Sequence, residues 1–347
     1  MSHEDTIPPL FLVTGAAGFV GGHLVRHLHA RGDRVRAMVR DAAQAAPLEP
    51  FAEVVVGDIT RPDTLGPAFD GVTGVYHIAG LFRQEGVPDR AFWDVNADGV
   101  RHVFDAAIAA GAARVIHCST NGVHSDIKDP PADETADFNP GDLYQVTKLE
   151  GEKIAESYFK AGRIGGLVIR PTMIYGPGDD RTLKLFRMIS RRRFFYVGPG
   201  TALTHWVDVR DLAEAFRLAM QRDDVNGEAF LIGGARYHAL KDNVHEIARQ
   251  LGVPEPRLHL PVAPVMMLAL LTEKICKPIG VEPPLFRRRV SFFLKNRAYD
   301  IGKARRMLGY TPRQDFAGEV AEIIADYRAR GLLDAAGDTD GRSREAV

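Results

Sequence analysis

Hydrophobic positions fall into short unbroken runs, separated by stretches where they recur every three or four residues. The runs LFLVT (10–14), RVRAMVR (34–40), AEVVVGD (52–58), GVTGVYHIAG (71–80), ARVIHCST (113–120) and GGLVIRP (165–171) predict strands. Helical spacing predicts helices near 18–31, 91–110 and 142–161. Strand, helix, strand at this repeat means right-handed crossovers and a parallel sheet. The strands are nearly continuous apolar runs, as burial on both faces requires. The rhythm loosens after about residue 178. RTLKLFRMISRRRFF predicts a helix with a basic side. LTHWVDVRDLAEAFRLAM predicts a short strand and then a helix, and EAFLIGG (228–234) another core strand. LKDNVHEIARQLG and VAPVMMLALLTEKI predict further helices.

Composition narrows the picture. The chain has 347 residues, 45% hydrophobic and 26% charged, enough for a large core without disulfides or metals. A formal net charge of −1 gives no global field for nucleic acid or an anionic membrane. Cys118 and Cys276 do not make a disulfide framework, so a reducing cytoplasm is expected. The polar, acidic MSHEDTIPPL does not read as a secretory leader, and no apolar run reaches the ~20 residues of an integral span. PVAPVMMLALL (261–271) reads as a buried or interface helix, with a membrane-surface or lipophilic-substrate role as the alternative.

The first strand runs into TGAAGFVG and then a helix. In such a turn Gly15 permits the tight bend, Gly18 lets backbone approach a pyrophosphate, and Gly21 lets helix pack against strand. N–H groups at the helix start then bind phosphate. The fold class expected is therefore α/β: a Rossmann-type doubly wound parallel sheet with a smaller, mostly helical C-terminal lobe. The dinucleotide domain is placed at 8–180, with 204–234 returning to it. The substrate lobe is placed at 181–203 and 235–332, and a disordered tail at 333–347.

The second strand ends MVRD, putting Arg40 where an arginine accepts a ribose 2′-phosphate and an acidic residue a 2′-OH. NADP(H) is favoured over NAD(H) on that ground, although Asp41 stands beside it. Asp58 and Ile59 end the third strand, where they could meet the adenine amino group and ring; a strand-end turn is the alternative. YQVTK places Tyr144 and Lys148 one turn apart on one helix face. A nearby ammonium lowers a phenol's pKa from its usual ~10. Such a phenol exchanges a proton with a hydroxyl near neutral pH while hydride moves to or from a nicotinamide.

These motifs, with GDIT, VYHIAG, NADGVRHVFDAAIAAGAARVIHCST, RPTMIYGPGD, WVDVRDLAEA and YDIGKARRMLGYTP, resemble the extended short-chain dehydrogenase/reductases, the NAD-dependent epimerase/dehydratase superfamily. The likeness runs from about residue 10 to 330. It implies Tyr144 as catalytic acid/base and Lys148 as the residue that bonds the nicotinamide ribose and tunes that tyrosine. It implies Thr120 as the hydroxyl that polarises the substrate oxygen, or Ser119 if the register slips by one. It implies that Asn96 braces the site and that Pro171 lies close to the nicotinamide. Gly15, Ala17, Gly18, Phe19, Val20, Ala79 and Ser119 complete the expected cofactor contacts. It also implies pairing into a homodimer through the tyrosine-bearing helix.

Within the superfamily, Asn121 and Gly122 stand where dehydratases carry an acid. Met173 and Thr204 replace two polar diphosphate contacts of sugar-nucleotide epimerases, which points to a less charged pocket. IRPTMIYGPGD and PPLFRRRVSFFLKNRAYD look like the branch of 3β-hydroxysteroid, sterol and dihydroflavonol-type enzymes. A small or lipophilic alcohol or ketone is the expected substrate. A sugar epimerase with tightly bound NAD, and a non-catalytic NAD(P)-binding regulator, are the alternatives. No metal is expected from His23, His27 and His29, which lack acidic or cysteine neighbours. Arg191–Arg193 and Arg287–Arg289 read as solvated helix faces, with a charged substrate or cofactor contact as the alternative, and Cys118 as a buried strand cysteine. No G-x-S-x-G elbow supports serine hydrolysis.

Overall fold

A computed structural model describes residues 8–82, 86–276, 285–313 and 315–334. The strands in the first half are β1 (Leu10–Thr14), β2 (Arg34–Val39), β3 (Glu53–Val56), β4 (Gly74–His77), β5 (Arg114–Cys118) and β6 (Gly165–Pro171). The later ones are β7 (Met173–Tyr175), β8 (Tyr196–Val197), β9 (Leu203–Asp208), β10 (Ala229–Ile232), β11 (Tyr237–Ala239) and β12 (His259–Leu260). The helices begin with α1 (Phe19–Ala30), α2 (Gly66–Phe69), α3 (Asp89–Trp93), α4 (Gly99–Ala109), α5 (Leu143–Lys160) and α6 (Leu183–Ser190). They continue with α7 (Val209–Met220), α8 (Leu240–Leu251), α9 (Val262–Cys276), α10 (Arg287–Phe292), α11 (Gly302–Leu308) and α12 (Phe316–Ala329). A π-helical turn at Asp94–Asp98 joins α3 to α4.

Seven parallel strands form the main sheet in the order β10-β6-β5-β4-β1-β2-β3. The order reverses between β1 and β4, which opens a crevice beyond their carboxyl ends. Alternate side chains serve opposite faces: Val13 packs with α1, α7 and α11, whereas Leu12 packs with α2, α4 and α5. That two-sided burial explains the unbroken apolar runs. Only Thr172 separates β6 from β7, where the chain leaves this sheet for a second one, β11-β9-β7. A two-stranded pair, β12-β8, adjoins α9 and α10 through a cluster including Val197, Ala269 and Val290.

Three sequence expectations change. Ile301, Ala304, Leu308 and Tyr310, inside the stretch assigned to the lobe, join the core beneath the main sheet. Leu333, placed in the tail, is buried with Tyr327 and Ile324, because an apolar side chain there completes the α8–α12 core. Residues 335–347 lie outside the described ones. Of the readings of 261–271 as a buried or an interface helix, the buried one does not hold: Met267, Leu268, Leu270, Leu271 and Ile275 of α9 are exposed, since only one side of the helix meets the fold. Among the described residues no helix is long and apolar enough to cross a membrane.

One buried acid makes stability depend on pH. The Tyr175 hydroxyl donates to Glu319, on the first turn of α12. Burial foremost lifts the Glu319 carboxyl to about 7; the Tyr175 hydrogen bond opposes this, and Asp208 and Asp211 add to it. An unfolded glutamate titrates near ~4.3, so the native state binds the proton more tightly. The stability from this proton is fully present below ~4.3 and is lost as pH rises toward 7. Urea unfolding at pH 5 and pH 8 should therefore show the wild type losing about 1–3 kcal/mol more than Glu319→Gln over that interval. Equal losses would remove Glu319 as the cause.

Candidate active site

At the crevice lies a cleft of about 1480 Å³, larger than the ~300–1,000 Å³ of a typical small-ligand pocket. The glycine turn forms one end, with Gly15, Ala17, Gly18, Phe19 and Val20 all lining it. Gly15 has φ +69°, and a Cβ there would come within 2.8 Å of the Ala79 backbone. A Cβ on Gly21 would fall 2.2 Å from Gly15 O, so α1 starts this close to the turn only with glycine. At Gly18 a Cβ would meet nothing but Gly15 O, at 3.2 Å; its other side is open. No side chain caps the start of α1. Open backbone and uncapped N–H groups suit a pyrophosphate.

Helix α5 supplies the second element. Asp142 caps it by accepting from Gln145 N at 2.9 Å, while Gln145 Oε1 accepts from Gly141 N at 2.7 Å. These bonds fix the first turn, where Tyr144 projects into the cleft with its ring 5.0 Å from that of Phe82. One turn on, Lys148 is buried and its Nζ donates to Cys118 O at 2.6 Å. Burial lowers the Lys148 pKa from the ordinary lysine value, against the opposing pull of Cys118 and Glu152. Burial, aided by Lys148, also holds His77 down to about 3 and His117 well below its usual value. Both imidazoles are therefore neutral beneath the site.

The next turn carries Glu152, which the sequence reading missed. It is fully buried and accepts from Ser119 Oγ and, at 2.9 Å, from Arg170 Nε. Arg170, itself buried on β6, also meets His124 Nε2 at 3.3 Å and donates to Glu134 O at 3.1 Å. The spacing Tyr144, Lys148, Glu152 was the available signal. This network distinguishes the two candidate hydroxyls. Ser119 is committed to Glu152, although it borders the cleft. Thr120 accepts from Gly122 N at 3.0 Å, which uses an oxygen lone pair and leaves the hydroxyl hydrogen as a donor. Cys118 is no reactive thiol: burial pushes it up to about 11.

Arg40, exposed just after β2, lines the cleft. Its neighbour Asp41 is not part of the cleft lining; its Oδ1 caps the following turn by accepting from Ala43 N at 2.9 Å. Asp58 makes the strand-end turn weighed for it, and it also borders the cleft. Its Oδ1 accepts from Thr60 N and Oγ1, each at 2.8 Å, and the residue borders the cleft with Ile59. Ala79 N donates to Thr14 Oγ1 at 3.2 Å, pinning that wall to β1. Pro171, at the end of β6, also faces the cleft. Asn96 stands behind the wall: it accepts from Leu81 N at 2.8 Å and donates to Leu81 O and Thr147 Oγ1, each at 3.1 Å. His23 and His27 bond Pro177 O and Glu214 instead of forming a ligand set. No group of potential metal ligands occurs among the described residues.

The far end of the cleft corrects the expected lack of charge. Met173 and Thr204 line the cleft, yet Arg287, Lys295 and Arg297 line it too, while Arg181 packs over Phe19 at the glycine turn and pairs with Asp179. Lys295 Nζ donates to Ser125 Oγ at 2.7 Å, and Arg297 N donates to Leu203 O at 2.7 Å. Arg287, Lys295 and Arg297 reach the cleft from a segment that folds back from 285–297, far in sequence from the residues they join. Arg287 is thus part of the cleft wall, ion-paired to Glu273 at 3.1 Å, and not simply a solvated residue. The side chains of Arg288 and Arg289 lie outside the description.

Residues 11–233 match the model of the NAD dependent epimerase/dehydratase family. Sterol demethylase protein B of Methylococcus capsulatus is 31% identical, over 93% of this chain and 99% of that protein. A 3 beta-hydroxysteroid dehydrogenase/Delta 5→4-isomerase of Mycobacterium tuberculosis is 30% identical, over 91% of this chain and 90% of that protein. Among solved structures, gox2253 superposes with a TM-score of 0.79 at 30% identity, over 94% of this chain and 99% of that chain.

Proposed function

This chain belongs to the NAD-dependent epimerase/dehydratase family, and from that premise we propose that it is an extended short-chain oxidoreductase with Tyr144 as its acid–base group. It moves hydride between NAD(P) and a secondary alcohol or ketone. The observation that carries this reading is the meeting of the glycine turn, Thr120, Tyr144 and the buried Lys148 in one cleft. The bound nicotinamide supplies the hydride acceptor or donor. Gly15, Ala17, Gly18, Phe19 and Val20 would hold the dinucleotide's pyrophosphate, and Asp58 and Ile59 would border its adenine. The Tyr144 phenolate takes the proton of the substrate hydroxyl in oxidation, and the phenol returns it in reduction. The Lys148 ammonium favours the phenolate, and the Thr120 hydroxyl donates to the substrate oxygen.

For the substrate we propose a lipophilic alcohol or ketone. Met266, Phe286 and Phe292 give the cleft an apolar flank, and the named relatives include sterol and steroid enzymes. The cations Arg287, Lys295 and Arg297 favour a second reading, a sugar-nucleotide epimerase with tightly held NAD. Purified protein presented with a carbonyl panel and NADPH separates these. Consumption of added cofactor supports the reductase. Retained nicotinamide, with turnover of a nucleotide sugar and no added cofactor, supports the epimerase. Binding without either reaction supports a regulator.

Arg40 carries the cofactor preference, since a guanidinium pairs with a 2′-phosphate and Asp41 is engaged elsewhere. Arg40→Ala should weaken NADPH about 10- to 100-fold, the worth of a charged hydrogen bond, and leave NADH nearly unchanged by fluorescence titration. Equal losses would refute the preference for NADP(H).

A further inference from the structure

We infer that the outer face of α9 docks on the surface of an anionic lipid bilayer. At 100° per residue, Met267, Leu268, Leu270, Leu271, Lys274 and Ile275 fall within an arc of about 160°. All six are exposed, and five are large and apolar. The polar residues turn the other way. Glu273 is buried and accepts from Arg287 N at 2.8 Å, and Thr272 donates to Leu268 O at 3.0 Å. A helix facing water has the opposite arrangement. A helix lying in a membrane interface has this one, with its lysine reaching to the headgroups.

Charge and area select the bilayer over a second copy of the chain. Among the described residues Lys274 is the sole ionisable one on the exposed arc of α9, so no carboxylate of the arc opposes an anionic surface. Arg257 and His259 are exposed just ahead of the helix. Arg191, Arg192 and Arg193 are exposed at the approach to Phe195, which packs against the α9 cluster. Glu255, the acid in this approach, lies 3.8 Å from His245. The five apolar side chains offer a few hundred Å², short of the ~800 Å² per partner of a stable dimer. On its inner side α9 contributes Met266 and Glu273 to the cleft. Docking therefore brings the cleft wall to the bilayer, whatever reaction the cleft performs.

The test is co-sedimentation of the full chain with vesicles of phosphatidylglycerol and phosphatidylcholine, and with vesicles of phosphatidylcholine alone. Wild type should pellet with the anionic vesicles, less so at high salt. Leu268→Glu/Leu271→Glu should partition on the order of 10²-fold more weakly, with unchanged circular dichroism and melting temperature. If that variant misfolds, Ile275→Glu is scored by the same criteria. Three results would overturn the inference. Wild type could stay in the supernatant with both vesicle types. A folded variant could pellet as wild type does. Or sedimentation equilibrium could show a wild-type dimer, dissolved by the variant, with no vesicle binding.

Discussion

Tyr144→Phe is expected to cut turnover by at least ~10²-fold, the scale of one acid–base group, and to leave dinucleotide affinity nearly intact. Phenylalanine keeps the ring edge-on to Phe82 and removes only the hydroxyl. Lys148 keeps its bond to Cys118 O, because that bond does not involve residue 144. The cofactor end of the cleft is built from other elements altogether. Steady-state rates beside fluorescence titration of the dinucleotide make the separation. Turnover equal to wild type would remove Tyr144 from the chemistry, while a parallel loss of cofactor affinity would give it a binding role instead.

The largest stability effect is expected at Glu152. Glu152→Ala strands the Arg170 guanidinium, which is 3% exposed, and takes the acceptor from Ser119. Breaking one side of a buried ion pair costs about 3–5 kcal/mol, mostly from the charge left behind. Pairing the change with Arg170→Met should recover most of that loss, because an apolar side chain leaves no charge to solvate. Urea denaturation of the three proteins checks both statements. A loss below about 1 kcal/mol for Glu152→Ala would mean that Arg170 finds water or another partner. This ion pair sits directly behind Ser119, so Glu152→Ala should also disturb the position of Thr120.

The local parts of this molecule were legible in its residue order. Apolar runs of strand length and the glycines at 15, 18 and 21 announce β1, the turn and α1 without knowledge of anything distant. The i, i+4 pair of Tyr144 and Lys148 is local in the same sense. Pairings across elements were not legible. Glu152 and Arg170 are 18 residues apart on a helix and a strand, and each alone looks like a surface charge. Ser119 and Thr120 are adjacent hydroxyls; the buried carboxylate that engages Ser119 distinguishes them. Asp41 clouded the reading of Arg40 until its capping bond was seen. Hydropathy marked α9 as apolar but held no information about which side of it meets the protein.

The segment from 285 to 297 places Phe286, Arg287, Phe292, Lys295 and Arg297 on the cleft, while the dinucleotide end and the phenol–amine pair come from residues before 172. A late stretch of polypeptide thus adds cleft lining to a framework laid down much earlier in the chain, joined by Met173, Thr204 and Met266 from between the two. Exchanging that one short cassette would re-line one wall of the cleft while leaving the glycine turn and the Tyr144–Lys148 pair in place, a modular route by which a single scaffold diversifies.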